Sequence, residues 1–121
     1  PFNRYDLLTR LDSTPKHAKL CHGDFQPDNI IVKEDGTMYV VDWVHAAQGN
    51  ASADVARTYL LFCLTDQAAA EKYMDLFCEK TSTAKHYVQQ WLPLVAAAQL
   101  TKKRPEEKEL LQSWLNVCDY Q

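Results

Sequence analysis

Apolar residues recur at helical spacing near both ends of the chain and at strand spacing between them. Phe2, Tyr5, Leu7, Leu8 and Leu11 follow the helical period, and Asp12-Ser13-Thr14-Pro15 closes that stretch with turn formers and a helix-breaking proline. A short helix is expected to end there. From Leu20 to Trp43 the pattern shifts to short runs, Ile30-Ile31-Val32 and Tyr39-Val40-Val41, around Glu34-Asp35-Gly36-Thr37. Asp-Gly between β-branched runs predicts a hairpin, because both residues tolerate the positive φ of a type I′ turn. With Asp35-Gly36 as a two-residue turn, Val32 pairs with Tyr39, Ile30 with Val41 and Asn29 with Asp42.

After Gly49 the helical period returns and stays. Asn50 or Ser52 can cap a helix to about Leu64, and Asp66 another through Cys78. Ser82 or Thr83 can open a third through about Leu100, which Pro93 should kink or interrupt. Pro105 suits the first turn of a last helix, with Glu106, Glu107 and Glu109 near its positive end and Leu110, Leu111, Trp114, Leu115 and Cys118 as its apolar stripe. The expected architecture is therefore α+β and mostly helical: a helix, a β-hairpin and four helical segments.

Composition narrows the function classes. The 121 residues are 46% hydrophobic and 24% charged, enough for one globular domain with a core. A net charge of −3 draws the chain as a whole neither to nucleic acid nor to anionic membrane. No apolar run approaches the roughly 20 residues of a bilayer span and no secretory signal is visible, so a cytoplasmic location is expected. Cys21, Cys63, Cys78 and Cys118 form no C-x-x-C pair and read as reduced, mostly buried thiols. Gly23, Gly36 and Gly49 are too scattered for a glycine-rich phosphate loop.

Chemically capable residues concentrate in Cys21-His22-Gly23-Asp24-Phe25-Gln26-Pro27-Asp28-Asn29 and Val41-Asp42-Trp43. If Asn29 and Asp42 oppose each other, an amide and a carboxylate oxygen can converge on one hard cation, and oxygen ligands favour Mg²⁺ or Mn²⁺ over zinc. The plain alternative is a pair of strand-end caps. Pro27 biases Gln26 towards extended backbone, which leaves Asp24 in a loop at the same end of the hairpin. A hard cation beside a carboxylate able to receive a hydroxyl proton is the equipment of phosphoryl transfer. Of the aromatic residues, which at helical spacing read as core, Trp43 alone has a preference for the site.

The string His22-x-Asp24-x-x-x-x-Asn29 has the spacing of the kinase catalytic loop, and Asp42 stands where the metal-binding Asp after the next strand belongs. His22-Gly23-Asp24, Asp42-Trp43 and the following Ala53-Asp54-Val55-Ala56 resemble the aminoglycoside phosphotransferase and choline kinase superfamily, over about Leu20 to Leu61. That resemblance implies the C-terminal lobe of a protein-kinase-like fold, with the catalytic-loop hairpin followed by a helical bundle, and transfer of the γ-phosphoryl group of ATP to a hydroxyl of a small molecule. Asp24 would be the catalytic base or hydroxyl-orienting group, and Asn29 and Asp42 would bind Mg²⁺. His22 and Asp54 would support the loop, and Gln26 and Trp43 could touch substrate or nucleotide.

Such kinases also have a small N-terminal lobe with a phosphate-covering loop and a lysine, and nothing of that kind precedes Pro1. The 121 residues are thus expected to be the C-terminal lobe alone, inactive by themselves, with apolar surface exposed where the small lobe packs and open to dimerisation. The other reading is a non-catalytic kinase-like binding or scaffold module. A metal-dependent phosphohydrolase fits less well, since two oxygen ligands make a poor two-metal site.

Overall fold

The computed structural model describes residues 4–13 and 18–117. The expectations placed on Phe2, Thr14-Pro15 and Cys118 lie outside the described residues. In chain order the elements are α1 (Arg4–Ser13), β1 (Lys19–Cys21), a 3-10 turn (Pro27–Asn29), β2 (Ile30–Val32), β3 (Met38–Val40), β4 (Ala47–Gly49), α2 (Ala51–Cys63), α3 (Gln67–Thr81), α4 (Lys85–Gln89), α5 (Leu92–Leu100), a 3-10 turn (Pro105–Glu107) and α6 (Lys108–Val117). The fold is mostly helical α+β with two small antiparallel sheets, β1 with β4 and β2 with β3. Among the described residues no helix is long and apolar enough to cross a membrane.

Helix ends follow local chemistry. Asn50 takes the N-cap of α2, its side chain accepting from the Ser52 N–H at 2.8 Å, and Asp66 caps α3 by accepting from the Ala69 N–H at 3.1 Å. Ser82 does not open a helix as expected. It ends α3 in the left-handed conformation, φ 53°, with its N–H returned to the Cys78 carbonyl. The third helical segment is split: Pro93 falls in the first turn of α5, where its missing N–H costs nothing, and α4 stops at Gln89.

α2 is the hub, packed against α3, α4 and α5, and α5 packs on α6. Met74, Val88 and Ala70 close over one face of α2 around Val55, Ala56 and Tyr59, while Leu60, Ala96 and Leu111 form a second cluster towards α6. The thiols are less buried than expected: Cys63 is in the core, whereas Cys21 and Cys78 are half-buried.

The hairpin differs from its expected register by one residue. Ile30 pairs with Val40, Ile31 with Tyr39 and Val32 with Met38. The connection is a three-residue loop, closed by hydrogen bonds from the Gly36 N–H to the Lys33 carbonyl (2.9 Å) and from the Lys33 N–H to the Thr37 carbonyl (2.8 Å). Gly36 alone adopts positive φ, 87°, while Asp35 uses its carboxylate to accept from the Thr37 N–H at 2.9 Å. Asp-Gly serves this bulged loop as well as the tighter turn, and the extra residue moves the ladder by one step.

Candidate active site

β1 and β4 pair antiparallel through Lys19–Gly49, Leu20–Gln48 and Cys21–Ala47, so the loop leaving β1 starts beside the residues that enter β4. Hydrogen bonds with Asp54, Arg57 and Thr58 then hold residues 22–25 on the first turns of α2. Both oxygens of Asp54 are used there: Oδ2 accepts from the His22 N–H and Oδ1 from the Gly23 N–H, each at 2.9 Å. One turn on, Thr58 donates its hydroxyl to the Phe25 carbonyl at 2.6 Å. Gly23 has φ 87°, and a Cβ there would stand 2.6 Å from the His45 carbonyl oxygen, so only glycine lets the loop pass at this point.

His22 is buried. Its Nδ1 accepts from the Asp24 N–H at 3.1 Å, which leaves the proton on Nε2 for the Val41 carbonyl at 2.8 Å. The imidazole thus ties the His22–Asn29 loop to the far side of the hairpin. Its ring also leans on Trp43, with centroids 4.6 Å apart. Trp43 itself donates its indole N–H to the Val40 carbonyl at 2.8 Å. Burial, and the nearby Asp54 carboxylate, push the Cys21 thiol above its ordinary range, so it remains a thiol beside this loop.

The Asp24 carboxylate is one-fifth exposed and unevenly held. Its Oδ1 accepts from Arg57 Nη1 at 2.9 Å and from Gln26 Nε2 at 3.0 Å; its Oδ2 receives only Asn29 Nδ2, at 3.2 Å. The same Asn29 nitrogen makes its shorter bond, 2.7 Å, to the Asp24 carbonyl. Arg57 escaped the sequence reading. Asp54, Arg57 and Thr58 occupy positions i, i+3 and i+4 of α2, a single helix face, and that spacing is the signal that could have found it.

The expected facing of Asn29 and Asp42 is corrected by the register. Asn29 pairs with Val41, whose N–H donates to the Asn29 carbonyl at 2.8 Å, and Asp42 follows at φ 59°, out of the ladder. Asp42 is exposed, and among the described residues its carboxylate carries no hydrogen bond or ion pair. Asn29 is buried with both amide hydrogens spent on Asp24, which keeps its Oδ1 lone pairs free. An amide oxygen and a carboxylate without competing donors suit a hard cation. Among the described residues no three His, Cys, Asp or Glu side chains gather as a metal cage. Beside the loop, Gln26, Pro27 and Asp28 join Thr58, Leu61 and Phe62 around a cavity of about 310 Å³ that reaches Arg104 and Glu107.

Compared with known families, residues 3–87 match the model of the phosphotransferase enzyme family. The chain belongs to this phosphotransferase family. The matched span runs from before α1 into α4 and exceeds the Leu20–Leu61 segment in which the resemblance is densest. No curated protein and no solved structure matches the chain. As a phosphotransferase-family chain it carries His22, Asp24, Asn29, Asp42 and Asp54, of which four are joined by hydrogen bonds, Asp54 to His22, His22 to Asp24 and Asp24 to Asn29, while Asp42 stands after the hairpin.

Proposed function

We propose that this chain is the catalytic-loop and acceptor lobe of an ATP-dependent phosphotransferase that moves the γ-phosphoryl group to a hydroxyl of a small molecule. The observation that carries the reading is the state of three side chains among the described residues: Asp24 with one oxygen clamped by two donors and the other holding a single 3.2 Å contact, Asn29 with its amide oxygen free, and Asp42 without a partner. In the step itself, the acceptor oxygen forms a bond to the γ-phosphorus as the bond to the β–γ bridging oxygen breaks. ADP leaves, and the hydroxyl proton passes to the Asp24 carboxylate. Asp24 acts chiefly by orienting the hydroxyl, because phosphoryl transfer is governed by positioning and charge neutralisation.

Asn29 Oδ1 and the Asp42 carboxylate would hold Mg²⁺. When bound, the ion neutralises phosphate charge and orients the phosphates. His22 and Asp54 act on the backbone of the loop. A nucleotide-covering lobe seated on the hairpin would complete the site. The scaffold alternative gains nothing from a site whose oxygen atoms are unspent.

The test is Asp24→Ala in the full-length protein, with Mg·ATP and a panel of hydroxyl compounds such as ethanolamine, choline and kanamycin. A loss of about 10²–10⁴ in transfer rate is expected, the usual size of an acid–base or orienting contribution. An unchanged rate removes Asp24 from the mechanism. A thermal-shift titration with Mg·ATP should raise the melting temperature, since a ligand that binds the native state stabilises it.

A further inference from the structure

We propose that Arg57 is a positioning residue of the transfer reaction: it clamps Asp24 through Oδ1 and so assigns the acceptor hydroxyl to Oδ2. The inference rests on the phosphotransfer reading above and adds to it a residue and an atom. A carboxylate turns easily about χ2, whose energy profile is broad and two-fold. Here two donors, Arg57 Nη1 at 2.9 Å and Gln26 Nε2 at 3.0 Å, converge on the same oxygen and end that freedom. The other oxygen has one contact, the 3.2 Å bond from an Asn29 nitrogen that is better engaged at 2.7 Å with the Asp24 carbonyl. Oδ2 therefore keeps the lone pair that a hydroxyl proton needs.

Arg57 can exert this control because its own place is fixed. It stands three residues after Asp54 on α2, and Asp54 binds the backbone of His22 and Gly23, so helix and loop move as one. The guanidinium and the carboxylate are 24% and 20% exposed, and partial burial strengthens a charge-assisted bond over a solvated surface pair. Among the described residues Asp24 is the ion-pair partner of Arg57, and Arg57 has no second one. Turning Asp24 away would leave a half-buried cation uncompensated.

The experiment is a double-mutant cycle in the full-length protein: Arg57→Gln, Arg57→Lys, Asp24→Asn and Arg57→Gln/Asp24→Asn. Transfer from Mg·ATP is followed to water and to the panel compounds, and urea unfolding is followed in parallel. Arg57→Gln should lower the rate constant about 10–100-fold, the cost of a misplaced catalytic group, with KM for Mg·ATP changed less than about twofold. Arg57→Lys should recover part of the loss, as a point charge lacking the planar fork. In the Asp24→Asn background, Arg57→Gln should add nothing, since Arg57 acts through Asp24.

A wild-type rate for Arg57→Gln, or the same fold-loss in both backgrounds, overturns the inference; the second is what a general structural role produces. Unfolding gives an answer that does not depend on turnover: measurable coupling between positions 24 and 57 supports the clamp, and additive effects overturn it. If Asp24→Asn itself keeps full activity, Asp24 has no part in the transfer and the positioning role of Arg57 falls with it; if the wild-type protein transfers phosphate to none of the acceptors, the phosphotransfer reading fails, and the unfolding cycle still decides the clamp.

Discussion

The helical half and the strand-bearing half of this molecule are held together by different forces. From α2 onward, large side chains vanish from solvent: Leu60, Met74 and Val88 are fully buried and Leu111 nearly so. Between β1 and β4 many apolar side chains stay outside. Leu20 is 75% exposed, Met38 68% and Val32 62%. The groups buried at the seam of the two halves are instead polar, His22, Asn29, Asn50, Ser52 and Thr58. The helical body is ordered by area removed from water and the His22–Asn29 loop by directed hydrogen bonds onto α2. A site that must hold a carboxylate to within a fraction of an ångström gains from directional bonds, which fix an angle as well as a distance.

The contrast can be broken most forcefully in the body. Met74→Ala removes a fully buried side chain packed between α2 and α3, and should cost about 2–5 kcal/mol in urea unfolding. A cost below about 1 kcal/mol would mean that this core collapses readily and that the helices owe little to packing. At the seam, Asp54→Ala strands the His22 and Gly23 amides and should cost about 1–3 kcal/mol, with a loss of transfer rate in the intact protein as the loop loosens. Asp54→Asn, which keeps one acceptor oxygen, should fall between the wild type and Asp54→Ala in both measurements.

The body was more legible in the sequence than the seam, and for the same physical reason. Caps and breakers act locally, so Asn50, Asp66, Pro93 and Pro105 could be placed from neighbouring residues alone. The hairpin was legible in kind, but Asp35-Gly36 fits both a two-residue and a three-residue loop, and nothing local separates them. The β1–β4 ladder was not legible. Ala47-Gln48-Gly49 has no β-branched residue, and its partner lies 26 or more positions earlier. Of the candidate site, His22, Asp24, Asn29, Asp42 and Asp54 stood out through their spacing. Arg57 did not, because an arginine on a helix ordinarily reads as solvated surface until the loop that it grips is in place.

A smaller effect sharpens the comparison from the polar side of the body. The Tyr59 hydroxyl donates to Glu71 at 2.6 Å, and this bond, with help from Gln67 and Lys85, holds the Glu71 carboxyl below its ordinary range. Burial, and the same bond, push the Tyr59 hydroxyl up. As pH falls through the ordinary glutamate range, about 4.3, the unfolded chain takes up the proton first. The contribution of Glu71 is therefore complete above that range and is lost as pH falls towards the lower folded value. Glu71 is 43% exposed, so solvent screening keeps the effect modest. Urea midpoints between about pH 6 and about pH 3 should decline less steeply in Tyr59→Phe than in the wild type. An identical slope would show that the bond contributes nothing to the acid response.

The smallest effect carries the most information about the intact protein. Met38 sits at the end of β3 with two-thirds of its surface in water, opposite the equally open Val32. In these 121 residues Met38→Ser removes almost no buried area and should change stability by no more than about 0.5 kcal/mol. If a nucleotide-covering lobe sits on the hairpin in the full-length protein, the same substitution empties an interface, and burial of a methionine is worth about 1.5–3 kcal/mol. The ratio of the two costs, measured by urea unfolding of the short and the long chain, thus reports whether the hairpin is a covered face. Equal small costs would leave the strand half as exposed in the whole protein as it is here, and the proposed seat of the second lobe would have to be sought elsewhere.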